Sequence, residues 1–380
     1  MVAAPAVKRP GWFASRWDRL NGPTRITGID LARGLAVIGM LAAHLLWIRE
    51  DFSWTDPSTW MDVVDGRSSI LFATLAGVSI GLVTGGTTPL RGERLALARV
   101  RLVLRACMLW ALGILLILTG VPVYVILPAY AILFILTLPL LRLHAGALFA
   151  LAAGLGLVMP FVQGWLDSFA FWRTAAGTDL SIVLGWNYPF PVWIAFVVAG
   201  LGLARAGVRR LVVQVWALGA GAALAVLGYG LDAAFGAASV AISPGEVWTA
   251  ASHSSGLFEV VGSGGFALAV IGGCLLVCRT AIVWVVLPIR AVGAMPLTAY
   301  TVQLVAWAII ATVVLGNPGD LAGFRDLLPF WPMTVWLVVG CTAWALLIGR
   351  GPLEWILDRV TNLSSSRRRG TPRRVDRLES

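Results

Sequence analysis

Long apolar runs alternate with short polar breaks along nearly the whole chain. The runs fall at 28–48, 67–84, 102–120, 123–140, 145–165, 187–206, 212–232, 256–278, 294–315 and 331–349. At about 1.5 Å of rise per residue, each reaches the length that crosses the roughly 30 Å hydrocarbon core of a bilayer as a helix. The pattern predicts an all-α, polytopic membrane protein with about ten transmembrane helices, and it excludes soluble folds and barrels. Three divisions follow: a basic N-terminal segment at 1–27, the ten-span domain at 28–349 and an arginine-rich tail at 350–380. The segment 279–293, bounded by Arg279 and Arg290, is too short to span and reads as an interfacial helix leading into span nine. The run SSSRRRGTPRR at 364–374 cannot bury a core and reads as disordered, lying near anionic lipid or anchoring the topology. LAGVSIGL at 75–82 and VAGLGLAR at 198–205 share a small-residue spacing of the kind that packs membrane helices together.

Composition agrees, with 58% of residues hydrophobic and 13% charged, well away from the soluble average. The formal charge of +10 would point to nucleic acid in a soluble protein. Here the arginines sit between spans, so they report topology and nucleic acid is excluded as a partner. With the N-terminus inside, the inner segments hold 24 of the 29 basic residues, and the outer ones hold only Arg49, Arg67, Arg173 and Arg325. Both termini are therefore expected in the cytoplasm. The first 27 residues carry Lys8, Arg9, Arg16, Arg19 and Arg25 with no small-residue cleavage site behind them, which is not a signal peptide. Cys107, Cys274, Cys278 and Cys341 all lie in apolar runs and imply no disulfide framework. Cys274 and Cys278 share a helix face, but no further Cys or His completes a zinc set, so they read as packing and no metal is expected.

Ionisable groups inside spans are the functional candidates, because leaving them unpaired there costs several kcal/mol. Span one holds Asp30, Arg33 and His44. At about 100° per residue, Arg33 and His44 lie about 20° apart on the wheel and Asp30 about 40° from His44, so all three share one face. The rise separates Arg33 from His44 by about 16 Å, which draws one polar stripe across most of the bilayer. His253 stands at the outer boundary of span eight with Glu259 a turn or so inside it. A buried carboxylate there needs a partner, and either a His44–Glu259 pair or a His44–His253 mouth matches the depth. Arg67 and Ser68 open span two beside Asp62 and Asp65, where Arg67 serves equally as an ion pair or a ligand contact. Thr298, Tyr300 and Gln303 on span nine suit either a pocket or interhelical hydrogen bonding. Gly262, Gly264 and Gly265 read as close helix packing, Trp186 and Tyr188 as interfacial anchors, and His144 as a solvated loop group beside Arg142.

Arg33 followed after ten residues by His44 gives the Arg-x10-His spacing found on the first span of bacterial membrane acyltransferases of the acyltransferase-three type. More of the chain, from about residue 25 to 360, resembles the bacterial relatives of heparan-α-glucosaminide N-acetyltransferase. The resemblance rests on RITGIDLARG at 25–34, GRSSILFATLAG at 66–77, YPFPVW at 188–193 with Gly200 to Arg205, and HSSG at 253–256. GAMPLTAY at 293–300 and GPLEW at 351–355 look like the C-terminal domain of uncharacterised inner-membrane proteins of that group. One departure stands out. The heparan enzyme's catalytic histidine lies in the loop after the first span, and the corresponding loop at 49–57 holds none, so the role passes to His44 by the Arg-x10-His match.

The resemblance implies a multi-pass enzyme of the bacterial plasma membrane that moves acetyl, or another acyl group, from acyl-CoA to a glycan or glycolipid acceptor of the cell envelope. His44 would be the base, with Glu259 or His253 orienting it or holding the acceptor. Arg33, fixed by Asp30, would contact the pyrophosphate or pantetheine arm of CoA, and Arg67, Ser68, Tyr300 and Gln303 would line the substrate site. Acetyl-CoA is then a co-substrate, with no tightly bound cofactor. Membrane lipids and the envelope acceptor are the expected partners, and a second copy or another membrane subunit stays open. The rival reading is a transporter or flippase of an envelope lipid or small solute, or a non-catalytic partner subunit. Inverted repeats would show matching broken helices in the two halves, and the sequence shows none.

Overall fold

A computed structural model describes residues 11–49, 55–239 and 247–369. Among these residues the chain is helical, with no strand. Helix α1 (Trp12–Asn21) precedes α2 (Thr27–Leu45), α3 (Arg67–Val83), α4 (Gly92–Ile117), α5 (Leu127–Thr137) and α6 (Ala145–Asp167). The chain continues through α7 (Ala175–Leu184), α8 (Phe190–Ala206), α9 (Leu211–Ser239) and α10 (Leu257–Val277). The last third comprises α11 (Ile282–Val285), α12 (Leu287–Ala294), α13 (Pro296–Leu315), α14 (Leu321–Asp326), α15 (Phe330–Leu347) and α16 (Pro352–Arg369).

Each of the ten expected runs contains one helix. Eight are long and apolar enough to cross a membrane, namely α2, α3 with the turn before it, α4, α6, α9, α10, α13 and α15. The other two, α5 and α8, have 11 and 17 residues and are buried along most of their length. A helix apolar on every side and covered by other helices needs no full bilayer length. In contrast, α6 and α9 leave apolar faces uncovered, with Leu157, Phe161, Trp216 and Val226 exposed as lipid would have them. The chain is a multi-pass membrane protein.

Close approach at glycine holds the centre together. The two segments with matching small-residue spacing pack on each other: a Cβ at Gly77 would collide with the Val197 carbonyl, and one at Gly200 with the Thr74 carbonyl. On the other side of α2, Gly34 meets the Ile289 carbonyl and Gly293 meets the Asp30 carbonyl. Gly262 and Gly265 lie against Gly228 and Gly221 of α9, so these glycines pack helices, as the embedded GSGG run implies.

Buried polar groups pin the helix ends on the Arg33 side. The Arg205 guanidinium donates to the carbonyls of Gly81 (2.9 Å), Gly86 (2.7 Å) and Leu141 (2.9 Å) and to Thr84 Oγ1 (2.9 Å), tying the end of α3 and the turn after it to the turn at 140–142. Glu354 accepts from the backbone N–H groups of Leu297 (2.8 Å) and Thr298 (3.1 Å), which anchors α16 to the start of α13. This gives the GPLEW motif a structural role.

Two sequence expectations are corrected here. The 279–293 segment is not one interfacial helix but two short ones, and α12 is wedged against α2. Its Arg290, fully buried, turns inward to donate to Leu20 O and Asn21 Oδ1, each at 2.9 Å, because the chain's own carbonyls offer better solvation than a crowded interface. In the tail, α16 continues through Arg369, so 364–369 is helical rather than disordered, and 370–380 lies outside the described residues.

Candidate active site

The stripe predicted on span one is a face of α2, and the molecule builds a cluster at each end of it. At the Arg33 end, Asp30 is buried and its carboxylate sits between two guanidiniums. Arg25 donates from Nε at 2.6 Å and from Nη2 at 3.1 Å, and Arg33 from Nη1 at 3.4 Å. The second Arg33 nitrogen donates to Ser79 Oγ on α3 at 2.7 Å. Asp30 therefore does fix the Arg33 fork, but its closer partner is Arg25, which lies before the span and which the span-one stripe alone does not reveal.

At the other end, His44 occupies the last turn of α2 and is half-buried. Its Nδ1 is enclosed and has no hydrogen-bond partner. The His44 carbonyl accepts from Arg325 Nε at 2.9 Å, and the same guanidinium lies over Trp47 at 5.2 Å, so Arg325 caps the turn that presents the imidazole. Trp307 of α13 stands 6.4 Å from the imidazole, ring centre to ring centre, and stacks at 5.1 Å on Phe324.

Tyr300, Gln303 and Trp307 recur at three and four residues on α13, so they share one face over about 10 Å of rise. All three are buried; both amide atoms of Gln303 and Trp307 Nε1 have no hydrogen-bond partner, while Tyr300 lies against the backbone of Ile126. Buried polar atoms are ordinarily paired, so the orphaned groups on this uncharged face running up to His44 call for a partner. Tyr300 and Gln303 were among the sequence candidates. Trp307, one step further along the same face, carried the same i+4 signal in a residue type that ordinarily reads as packing.

The loop before α10 supplies the third part. His253 Nε2 lies 3.6 Å from Asp65 Oδ1, and the His253 ring stands 5.9 Å from that of Tyr188. Burial alone would lower the His253 pKa, but the Asp65 and Glu259 carboxylates outweigh it, and the pKa rises above its ordinary value. His253, Asp65 and Arg325 each lie within electrostatic reach of His44, at the same end of α2.

The His44–Glu259 pair does not form. Glu259 instead accepts from His253 N (2.8 Å), Ser255 N (2.6 Å) and Ser254 Oγ (3.3 Å), tying down its own loop. The reason is local: a carboxylate in the first turn of α10 is best solvated by the N–H groups just before it. Asp65, not Glu259, is the carboxylate beside an imidazole.

Arg67 is an ion pair and a clasp. It meets Asp62 Oδ2 at 3.0 Å and donates to Tyr229 Oη at 2.8 Å, and that hydroxyl is 2.8 Å from Ser263 Oγ. Ser68 is buried against Gly39 of α2. Both serve the packing of α3 on its neighbours rather than contacting His44. His144 Nδ1 accepts from Ala147 N at 3.2 Å and caps α6. Among the described residues no cluster of His, Cys, Asp or Glu has the makings of a metal site.

With this geometry in place, the comparison with known families is decisive. The family model of heparan-alpha-glucosaminide N-acetyltransferase, catalytic, matches residues 25–229, more than half of the chain. The chain belongs to the heparan-alpha-glucosaminide N-acetyltransferase catalytic family. It is an acyltransferase-type membrane protein. A second model, of a protein of unknown function (DUF418), matches residues 209–364. No curated protein matches the chain. The boundary between the two matches divides the site. Asp30, Arg33, His44, Asp65 and Tyr188 lie in the acetyltransferase match, whereas His253, Glu259 and the α13 face lie in the other.

Proposed function

We propose that the protein transfers acetyl, or another acyl group, from acyl-CoA to a hydroxyl or amine of an envelope glycan or glycolipid, with the Arg33 end at the cytoplasmic face of a bacterial plasma membrane. One observation carries the reading. A histidine whose enclosed nitrogen has no partner stands in line with a fixed arginine, about 16 Å along the same helix, inside the acetyltransferase match.

The chemistry follows from the groups present. His44 takes the proton as the acceptor oxygen or nitrogen bonds to the acyl carbon. The thioester C–S bond then breaks, and the proton returns to the CoA sulfur. The unpaired donors of Gln303 and Trp307, with Tyr300 on the same face, suit the oxygen on which negative charge develops, because uncharged donors fixed in a water-poor interior need no reorganisation. His253, held beside Asp65, presents the acceptor at the mouth, and Arg325 keeps the His44 turn in place.

The test is His44→Ala in membranes with matched expression, with acylated product quantified by mass spectrometry. Product formation falls by roughly a hundredfold to ten-thousandfold, the usual cost of losing a general base. His144→Ala, which removes only a helix cap, leaves it near wild type. Wild-type product from His44→Ala would remove the histidine from catalysis.

A further inference from the structure

Gln303 is 2% exposed in the middle of a membrane-spanning helix, and neither its Oε1 nor its Nε2 has a hydrogen-bond partner among the described residues. A buried amide that makes neither bond awaits a group that supplies them. The oxygen that turns negative in acyl transfer takes donors, so Trp307 Nε1 and Gln303 Nε2 both suit it. Gln303 Oε1 is an acceptor, and that oxygen leaves it unpaired. Its partner is a second group, one that carries an N–H or an O–H.

The position of Gln303 decides which reactant carries that group. Helix α13 begins where Glu354 holds the N–H groups of Leu297 and Thr298, and Glu354 is within electrostatic reach of Arg33. Further along, Trp307 stands 6.4 Å from the His44 imidazole. Helix α13 therefore runs beside α2 in the same direction, and Gln303 lies about 6 Å from the level of Trp307 toward the Arg33 end. That is the donor side of His44, away from the mouth at His253. On α2 the residues between Arg33 and His44 on the same face are Val37 and Met40, which carry no donor and at most a weak sulfur acceptor. A polar arm passing from Arg33 to His44 finds on α13 the partner that α2 lacks. In a cysteamine thioester, the amide nitrogen is four bonds from the thioester carbon, about 5 Å of extended chain, which matches the depth of Gln303.

We infer that Gln303 recognises the cysteamine amide of the acyl donor, with Oε1 accepting the amide N–H while Nε2 is directed at the thioester oxygen. The inference rests on the proposed acyl transfer and deepens it, because it makes Gln303 the residue that selects cysteamine thioesters over thioesters without the amide. Two carriers share that arm, coenzyme A and the phosphopantetheine of an acyl carrier protein.

The test compares acetyl-coenzyme A with the analogue whose cysteamine N–H is replaced by an ester oxygen, in membranes bearing the protein, with acylated product quantified by mass spectrometry. An acetylated acyl carrier protein bearing the same pair of arms separates the two carriers. In wild type the amide donor exceeds the ester in kcat/KM by about tenfold to hundredfold, because the ester leaves Gln303 Oε1 buried against another acceptor. Gln303→Leu, which has no acceptor, brings the two donors within about twofold of each other and melts no lower than wild type, since an unpaired amide gives way to apolar carbon. His44→Ala lowers both donors alike and leaves their ratio in place. Pantetheine and its ester analogue, titrated calorimetrically against the purified full-length protein, read the same contact without turnover. A binding preference for the amide that Gln303→Leu abolishes, with no product from either carrier, upholds the contact and removes acyl transfer. Product formed equally from amide and ester by wild type, or a preference that Gln303→Leu retains, overturns the inference and leaves acyl transfer standing. Neither product nor preference overturns both.

Discussion

Glu259 separates a structural carboxylate from a catalytic one, and its removal has a calculable cost. Its two oxygens accept from the N–H groups of His253 and Ser255 at 2.8 and 2.6 Å and from the Ser254 hydroxyl at 3.3 Å. The loop needs that hold, because His253 and Ser255 are non-glycine residues with φ of 64° and 56°. Each such residue costs about 1–2 kcal/mol against an ordinary backbone. Hydrogen bonds to a charged acceptor are worth about 1.5–3 kcal/mol apiece, so Glu259→Ala forfeits roughly 3–6 kcal/mol from the two backbone bonds before any water enters. Glu259→Gln keeps one carbonyl oxygen and turns an NH2 toward the other N–H, a cost of about 1–3 kcal/mol. The expected order of melting temperature in detergent is wild type, then Gln, then Ala. Product formation at a temperature where each variant is folded falls only as far as the His253 loop is displaced. A Gln variant that melts with wild type yet makes no product would refute this reasoning, because the carboxylate would then be acting on the chemistry rather than on the loop.

Two further outcomes test the rest of the architecture. The raised pKa of His253 means that its ion pair with Asp65 is fully stabilising below about pH 6.5, the ordinary histidine value, and is lost as pH climbs through the higher native value. Melting temperatures measured from pH 5.5 to 8.5 therefore decline with rising pH in wild type and flatten in Asp65→Asn, and parallel profiles would dissolve the pair. Gly200→Val forces α3 and α8 apart at the Thr74 carbonyl and lowers stability by about 3 kcal/mol or more, while Gly154→Ala on α6, where a Cβ meets nothing within 4 Å, leaves it level or slightly raised. Equal melting temperatures for the two would mean that the α3–α8 contact is not glycine-dependent.

The sequence by itself determined the class of this protein, the place of its long apolar helices and the polar stripe on α2. Those properties depend on run length and on helical period, which are local and survive without knowledge of neighbours. The matched spacing of Gly77 and Gly200 was visible too, although only the fold shows that the two glycines meet. Tertiary structure decided what each charge does. Asp65 and His253 are 188 positions apart and become partners through the packing of α3 and α10, while Glu259, nearer in sequence to the same histidine, is captured by the N–H groups before its own helix. Arg25 and Arg325 reach the two ends of α2 from outside it, so no periodicity within the span reports them. Arg105 on α4 was legible as charge but not as the partner of Asp358, which lies on α16 more than 250 residues later. Burial and solvation act through space, and a carboxylate or a guanidinium goes to whichever partner the packed helices bring within reach.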